Sequence, residues 1–174
     1  MSPRMPRPLL VFPLLVAVVA LAACDSGSDS DLTLADVAGT YEVQEFRFRP
    51  ETGALTAPNL LDTLVVANTS LRIRNSGDVT FDYEFRGGED RVLTGDAQVR
   101  GDEVRITFDG TDADRGRLLL PSDPVVFDYS DAGGLSASFE TELDLSAYDP
   151  VFYRNVDDEP GRLTIRLTRR AAAP

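Results

Sequence analysis

Apolar residues recur at every second position through most of this chain. In "VTFDYEFR", Val79, Phe81, Tyr83 and Phe85 share one face, whereas Thr80, Asp82, Glu84 and Arg86 share the other. Leu71 and Ile73 alternate in the same way, as do Val104, Ile106 and Phe108. So do Val125, Phe127 and Tyr129, and then Leu163, Ile165 and Leu167. The longest run is Leu135, Ala137, Phe139, Thr141, Leu143 and Leu145, and a looser one places Leu93, Gly95, Ala97 and Val99 together. Side chains of a strand point alternately to its two faces, so each segment is predicted as a strand with one buried and one wetted face.

The first strand, "TYEVQEFRFR", changes phase. Tyr41 and Val43 are odd, whereas Phe46 and Phe48 are even. A bulge near Gln44–Glu45 would restore a single apolar face and bend the strand. Just upstream, Thr33 and Asp36 have the spacing of a weak capping box, predicting a short helical turn as far as Ala38, with Gly39 ending it. Turn signals stand at 75–78, 86–90, 100–102 and 130–134, where Gly, Asn and Asp supply the positive φ of tight hairpins. Longer connections run over 50–68, 110–123 and 146–160; "NLLDTLVVA" in the first reads equally as a short helix or a strand extension. Eight strands in meander order predict an all-β fold, an eight-stranded antiparallel up-and-down barrel whose closure removes exposed edges. A β-sandwich is the alternative.

The N-terminus breaks this pattern. Met1 to Pro8 carries Arg4 and Arg7, Leu9 to Leu21 is almost wholly apolar, and small Ala22 and Ala23 follow. That order is the one of an export signal, and its apolar core is shorter than the roughly 20 residues a bilayer span needs. Leu21-Ala22-Ala23-Cys24 then resembles the lipobox of bacterial lipoproteins. The resemblance implies cleavage before Cys24, lipidation of its thiol and anchoring to a bacterial membrane, on the periplasmic or surface face of the cell envelope. Several acyl chains on one residue hold a soluble domain stably, where a single chain does not. The expected organisation is a signal peptide over 1–23, lipidated Cys24 with a flexible acidic tether over 24–32, a barrel domain over 33–170 and a disordered tail over 171–174. Asp25 matches a residue that retains some lipoproteins in the inner membrane, a rule that differs between lineages. The alternating acids of "DSGSDSD" lack the Gly and Glu spacing of an EF-hand loop, so no calcium site is expected.

Composition narrows the chemistry. The chain carries 17 basic and 29 acidic residues, a net charge of −12, and Arg is its only basic residue type. Such a surface repels nucleic acid and anionic lipid, so no nucleic-acid partner is expected. Without His or Lys there is no Ser-His-Asp triad, Schiff base or His-rich metal site, and the one thiol is assigned to lipid. Asp82 and Glu84 sit at outward positions. No enzyme activity, cofactor or metal is expected. Arg72, Arg74, Arg100, Arg105 and Arg166 alternate with apolar residues and are expected to point outward and pair with acids across strands.

A helical turn, then Gly39-Thr40-Tyr41, then a bulged first strand and seven meander strands resembles the lipocalin-like superfamily, over about residues 33–169. Members carry Gly-x-Trp at the start of the first strand, with the Trp beneath an Arg of the last strand. Here Tyr41 stands at the Trp position, and Arg166 or Arg169 would cover it. The closer likeness is to small lipocalin-like lipoproteins of bacteria. Tyr41, Phe46, Phe48, Phe81, Tyr83, Phe85, Phe108, Phe127 and Tyr129 are the candidate lumen residues. An eight-stranded barrel is just wide enough to be filled by side chains or to hold one small ligand. These rings therefore either line a pocket for a small apolar or amphipathic ligand, with phenolic hydroxyls as polar handles, or fill the lumen and leave a structural or interaction module of the envelope. The membrane is the expected partner through the N-terminal lipid; a protein partner is not identified.

Overall fold

The computed structural model describes residues 32–88 and 90–171. The signal, Cys24 and most of the tether lie outside the described residues. Among the described residues no helix is long and apolar enough to cross a membrane.

Eight antiparallel strands follow one another around a single closed barrel, so the sandwich alternative does not apply. They are β1 (Gly39–Pro50), β2 (Ser70–Ile73), β3 (Asp78–Glu84), β4 (Asp90–Arg100), β5 (Glu103–Phe108), β6 (Val125–Tyr129), β7 (Gly134–Leu143) and β8 (Glu159–Arg169). Three short helices accompany them: α1 (Leu34–Val37), α2 (Asp112–Arg117) and α3 (Leu145–Tyr148). Inward positions match the period-two pattern. Leu71, Ile73, Val79, Phe81, Val104, Ile106, Leu163, Ile165 and Leu167 are all buried. Removing each such side chain from water contributes about 1.5–3 kcal/mol before entropy opposes it.

The β1 bulge falls where the phase change places it. Register with β8 shifts between Val43 and Glu45, and Phe46 and Phe48 then turn inward opposite Ile165 and Leu163. Closure is strongest at β8, which pairs with β1 from Tyr41↔Arg169 to Pro50↔Gly161 and with β7 from Gly134↔Thr168 to Leu143↔Glu159. It is thinnest between β6 and β7, whose ladder has the pairs Asp128↔Ser136 and Tyr129↔Leu135, continued in the turn by Ser130 N donating to Gly134 O at 2.9 Å.

Several expectations need correction. Gly39 does not end α1 with a left-handed turn; Ala38 leaves the helix in an extended conformation (φ −63°, ψ 132°), and Gly39 begins β1. Phe85 lies just beyond β3, half-buried in an isolated bridge between itself and Leu64. Leu145 continues no strand but opens α3, capped by the Asp144 carboxylate. Of the two readings of "NLLDTLVVA" the short helix is the one found, as two 3₁₀ turns, Leu60–Asp62 and Val66–Asn68; Leu60 is buried in the first, and Leu64, between them, is buried in its bridge with Phe85. Of the five named arginines, Arg166 pairs across strands, with Glu45 at 3.3 Å, whereas Arg105 pairs within its own strand, with Glu103 at 3.0 Å. Among the described residues Arg72, Arg74 and Arg100 form no ion pair. Such surface pairs are worth little, typically under about 1 kcal/mol, so their absence leaves the fold unaffected.

Candidate functional site

The barrel interior is the natural place for a site, and two structures close its ends. At the α1 end, Tyr41 is buried with its hydroxyl donating to the Val37 carbonyl. Arg169, not Arg166, covers it: the guanidinium carbon stands 5.8 Å from the Tyr41 ring centroid. The same guanidinium donates to the Asp36 carbonyl at 2.6 Å and to the Ala38 carbonyl. Gly39 is explained here, because a Cβ on it would stand 2.7 Å from Arg169 Nε. Tyr129, half-buried, donates to the Asp36 carbonyl at 3.0 Å. Burial pushes the Tyr41 hydroxyl above its ordinary pKa, with Arg169 opposing in part, so the phenol stays neutral. Two of the expected phenolic handles are therefore committed to the backbone of α1.

At the opposite end the 110–123 connection forms a plug. Leu118, Leu119 and Leu120 are buried. Leu120 N donates to Arg115 O at 2.9 Å and Leu119 N to Gly116 O at 3.0 Å, the bonding of a Schellman cap on α2. Leu119 occupies the left-handed position of that cap (φ 54°), where glycine is usual. The side chain is retained because it fills the core, at a backbone cost of about 1–2 kcal/mol.

Between the two ends an aromatic column occupies the lumen. Phe81 stacks on Tyr83 at 5.6 Å and meets Phe108 edge-on at 6.4 Å, while Tyr83 meets Phe85 at 5.4 Å. Arg117 lies over the Phe85 ring at 4.9 Å. Phe46, Phe48 and Phe127 are buried as well. The space left among Phe46, Phe81, Phe108, Phe127 and Leu120 is about 10 Å³, scarcely one water, and its lining is wholly apolar. The nine candidates are thus brought together as packing: seven are buried, and Phe85 and Tyr129 lie half-buried. Burial also pushes the Tyr83 hydroxyl above its ordinary pKa.

Sequence reasoning missed the plug, and with it Leu60, Leu64 and Tyr153, all buried in the same core. The signal was present in "RLLLP", three leucines in a row within a stretch read as a connection. A larger hollow, of about 340 Å³, lies among Asp82, Tyr83, Asp90, Arg91 and Val92. Among the described residues no group of three or more His, Cys, Asp or Glu side chains is placed to hold a metal ion.

No family model and no curated protein matches the chain. Among solved structures it is similar to a lipocalin-like protein from Bacteroides uniformis, with 14% identity over 78% of this chain and 99% of that one, at a TM-score of 0.41.

Proposed function

We propose that this chain is a lipid-anchored protein of the bacterial cell envelope whose barrel works as a rigid interaction module rather than as a carrier with an open lumen. One observation carries the module reading: the interior keeps only about 10 Å³, whereas pockets for small molecules run to about 300–1,000 Å³. Anchoring is supported by the apolar run ending at Leu21-Ala22-Ala23-Cys24. Mass spectrometry of the membrane-extracted protein tests the anchor. The expected result is an N-terminal Cys24 bearing acyl mass; an unacylated N-terminus elsewhere overturns it.

A second reading keeps the small apolar or amphipathic ligand. It is favoured by the two-pair seam between β6 and β7, where the wall can part with the loss of few hydrogen bonds. An apolar fluorescent probe titrated against residues 25–174 separates the two. Phe127→Ala, which opens the lumen, serves as the positive control. Saturable, competable binding by the unaltered chain establishes the carrier; binding by the Phe127→Ala variant alone establishes the filled module.

A further inference from the structure

We infer that Val151 and Phe152 form a docking knob for a different protein, one presenting an apolar pocket bordered by basic side chains; this rests on the interaction-module reading above. Four large apolar side chains are exposed among the described residues. Val66 (46%) and Val92 (58%) stand singly, whereas Val151 (89%) and Phe152 (63%) are adjacent. Single exposed apolar residues are ordinary, but a contiguous pair at a loop tip loses burial for no packing reason.

The pair is held out by construction. Asp149 Oδ1 accepts from Val151 N at 3.0 Å and from Phe152 N at 2.9 Å. The Phe152 ring stands edge-on against Tyr153, with centroids 4.9 Å apart. Tyr153 is itself buried and donates to the Thr56 carbonyl at 2.7 Å. Val156 O accepts from both Leu145 N and Ser146 N at 3.1 Å, which ties the loop back to α3. The knob is therefore ordered before it meets anything, and binding through it costs little further conformational entropy.

Charge selects the partner. The connection that carries the knob, residues 144–159, holds Asp144, Asp149, Asp157, Asp158 and Glu159 against Arg154 alone. Apolar residues that seat in membranes are accompanied by Lys and Arg, and an acidic border is repelled by anionic lipid. The knob also lies at the end of β1 remote from α1, where the chain enters the barrel. A two-fold contact with a second copy would set the same acids against one another. What remains complementary is a separate protein with an apolar pocket and a basic rim, whose attraction weakens with salt.

The test uses the full chain in its native cells, with Phe152 replaced by photoreactive benzoylphenylalanine. Parallel chains carry the same probe at Val66, Val92 or the outward-facing Thr107. Irradiation at 152 is expected to give one discrete protein adduct whose cross-linked peptide is apolar with Lys or Arg beside it. Its yield should fall roughly tenfold in Val151→Ser, and also in washed envelopes between about 50 and 500 mM salt. Val151→Ser alters an exposed residue, and an unchanged thermal unfolding curve verifies its fold. Adducts only to lipid, only to this chain itself, or to a contact without basic residues overturn the inference. Adducts at the comparison positions but none at 152 overturn the knob and leave the module reading standing; none at any position overturns both.

Discussion

Arg169 shows how one side chain can close a barrel end. Its guanidinium answers two carbonyls at the C-terminal side of α1 and lies over the Tyr41 ring. Removing it leaves those carbonyls without this donor and uncovers an aromatic ring. Arg169→Ala should therefore lower unfolding stability by about 1–3 kcal/mol in urea titration, while Arg166→Ala, which loses only the surface pair with Glu45, should cost less than about 1 kcal/mol. Equal costs for the two would refute the capping role. The signal that separates the two arginines was present in the sequence: Arg169 shares the parity of inward Leu163, Ile165 and Leu167, whereas Arg166 falls on the outward face. As a sequence position Gly39 reads as the end of the helical turn, but its use is steric: it makes room for the Arg169 side chain.

At the scale of elements, α1 and α2 are both too short to persist alone, and each depends on its cap. In α2, Thr111 N donates to Asp114 Oδ2 at 3.2 Å and Thr111 Oγ1 to the same oxygen at 2.7 Å. These bonds, the hydroxyl's first, hold the Asp114 carboxyl below its ordinary value of 3.8, as Thr33 does for Asp36. A depressed carboxylate stabilises the fold above its unfolded pKa, and that contribution is lost as pH falls through the folded pKa. The stability gap between the parent and Asp114→Asn should thus be constant from neutrality to about pH 4 and shrink below 3.8; a gap that changes mainly between pH 5 and 7 would contradict the assignment. Leu119 tests the other end of α2. Leu119→Gly removes a left-handed penalty of about 1–2 kcal/mol but deletes a buried side chain worth about 2–5 kcal/mol. Net destabilisation in urea is expected, and a stabilised variant would mean that the plug does not contribute to the core. The Thr33–Asp36 cap and the β1 bulge could be read from residue spacing, since both are local. The leucine plug left its trace in "RLLLP", but where those leucines are buried depends on strands distant in sequence.

For the whole molecule, the dominant long-range term is charge. A chain of net charge −12 repels itself when compact. At about 1 M salt the Debye length is only about 3 Å, so the melting temperature should rise between about 10 mM and 1 M sodium chloride. A flat or falling profile would show that local ion pairs such as Arg162–Glu140 outweigh the net repulsion.

Strand count, strand order, most of the inward set, apart from Phe85 and Leu145, and the bulge in β1 were determined by the sequence itself. Each follows from periods of one or two residues and from turn chemistry, which act locally and leave a direct trace in residue order. Whether the barrel is hollow was decided only by tertiary structure. The nine aromatic candidates fit a lined pocket as well as a filled lumen, and the difference lies in a three-residue plug, an arginine cover and ring contacts of 5.4–6.4 Å. Cavity volume is a small remainder between large packed volumes, so it depends on every side chain that reaches the lumen, including those from loops whose pattern shows no period.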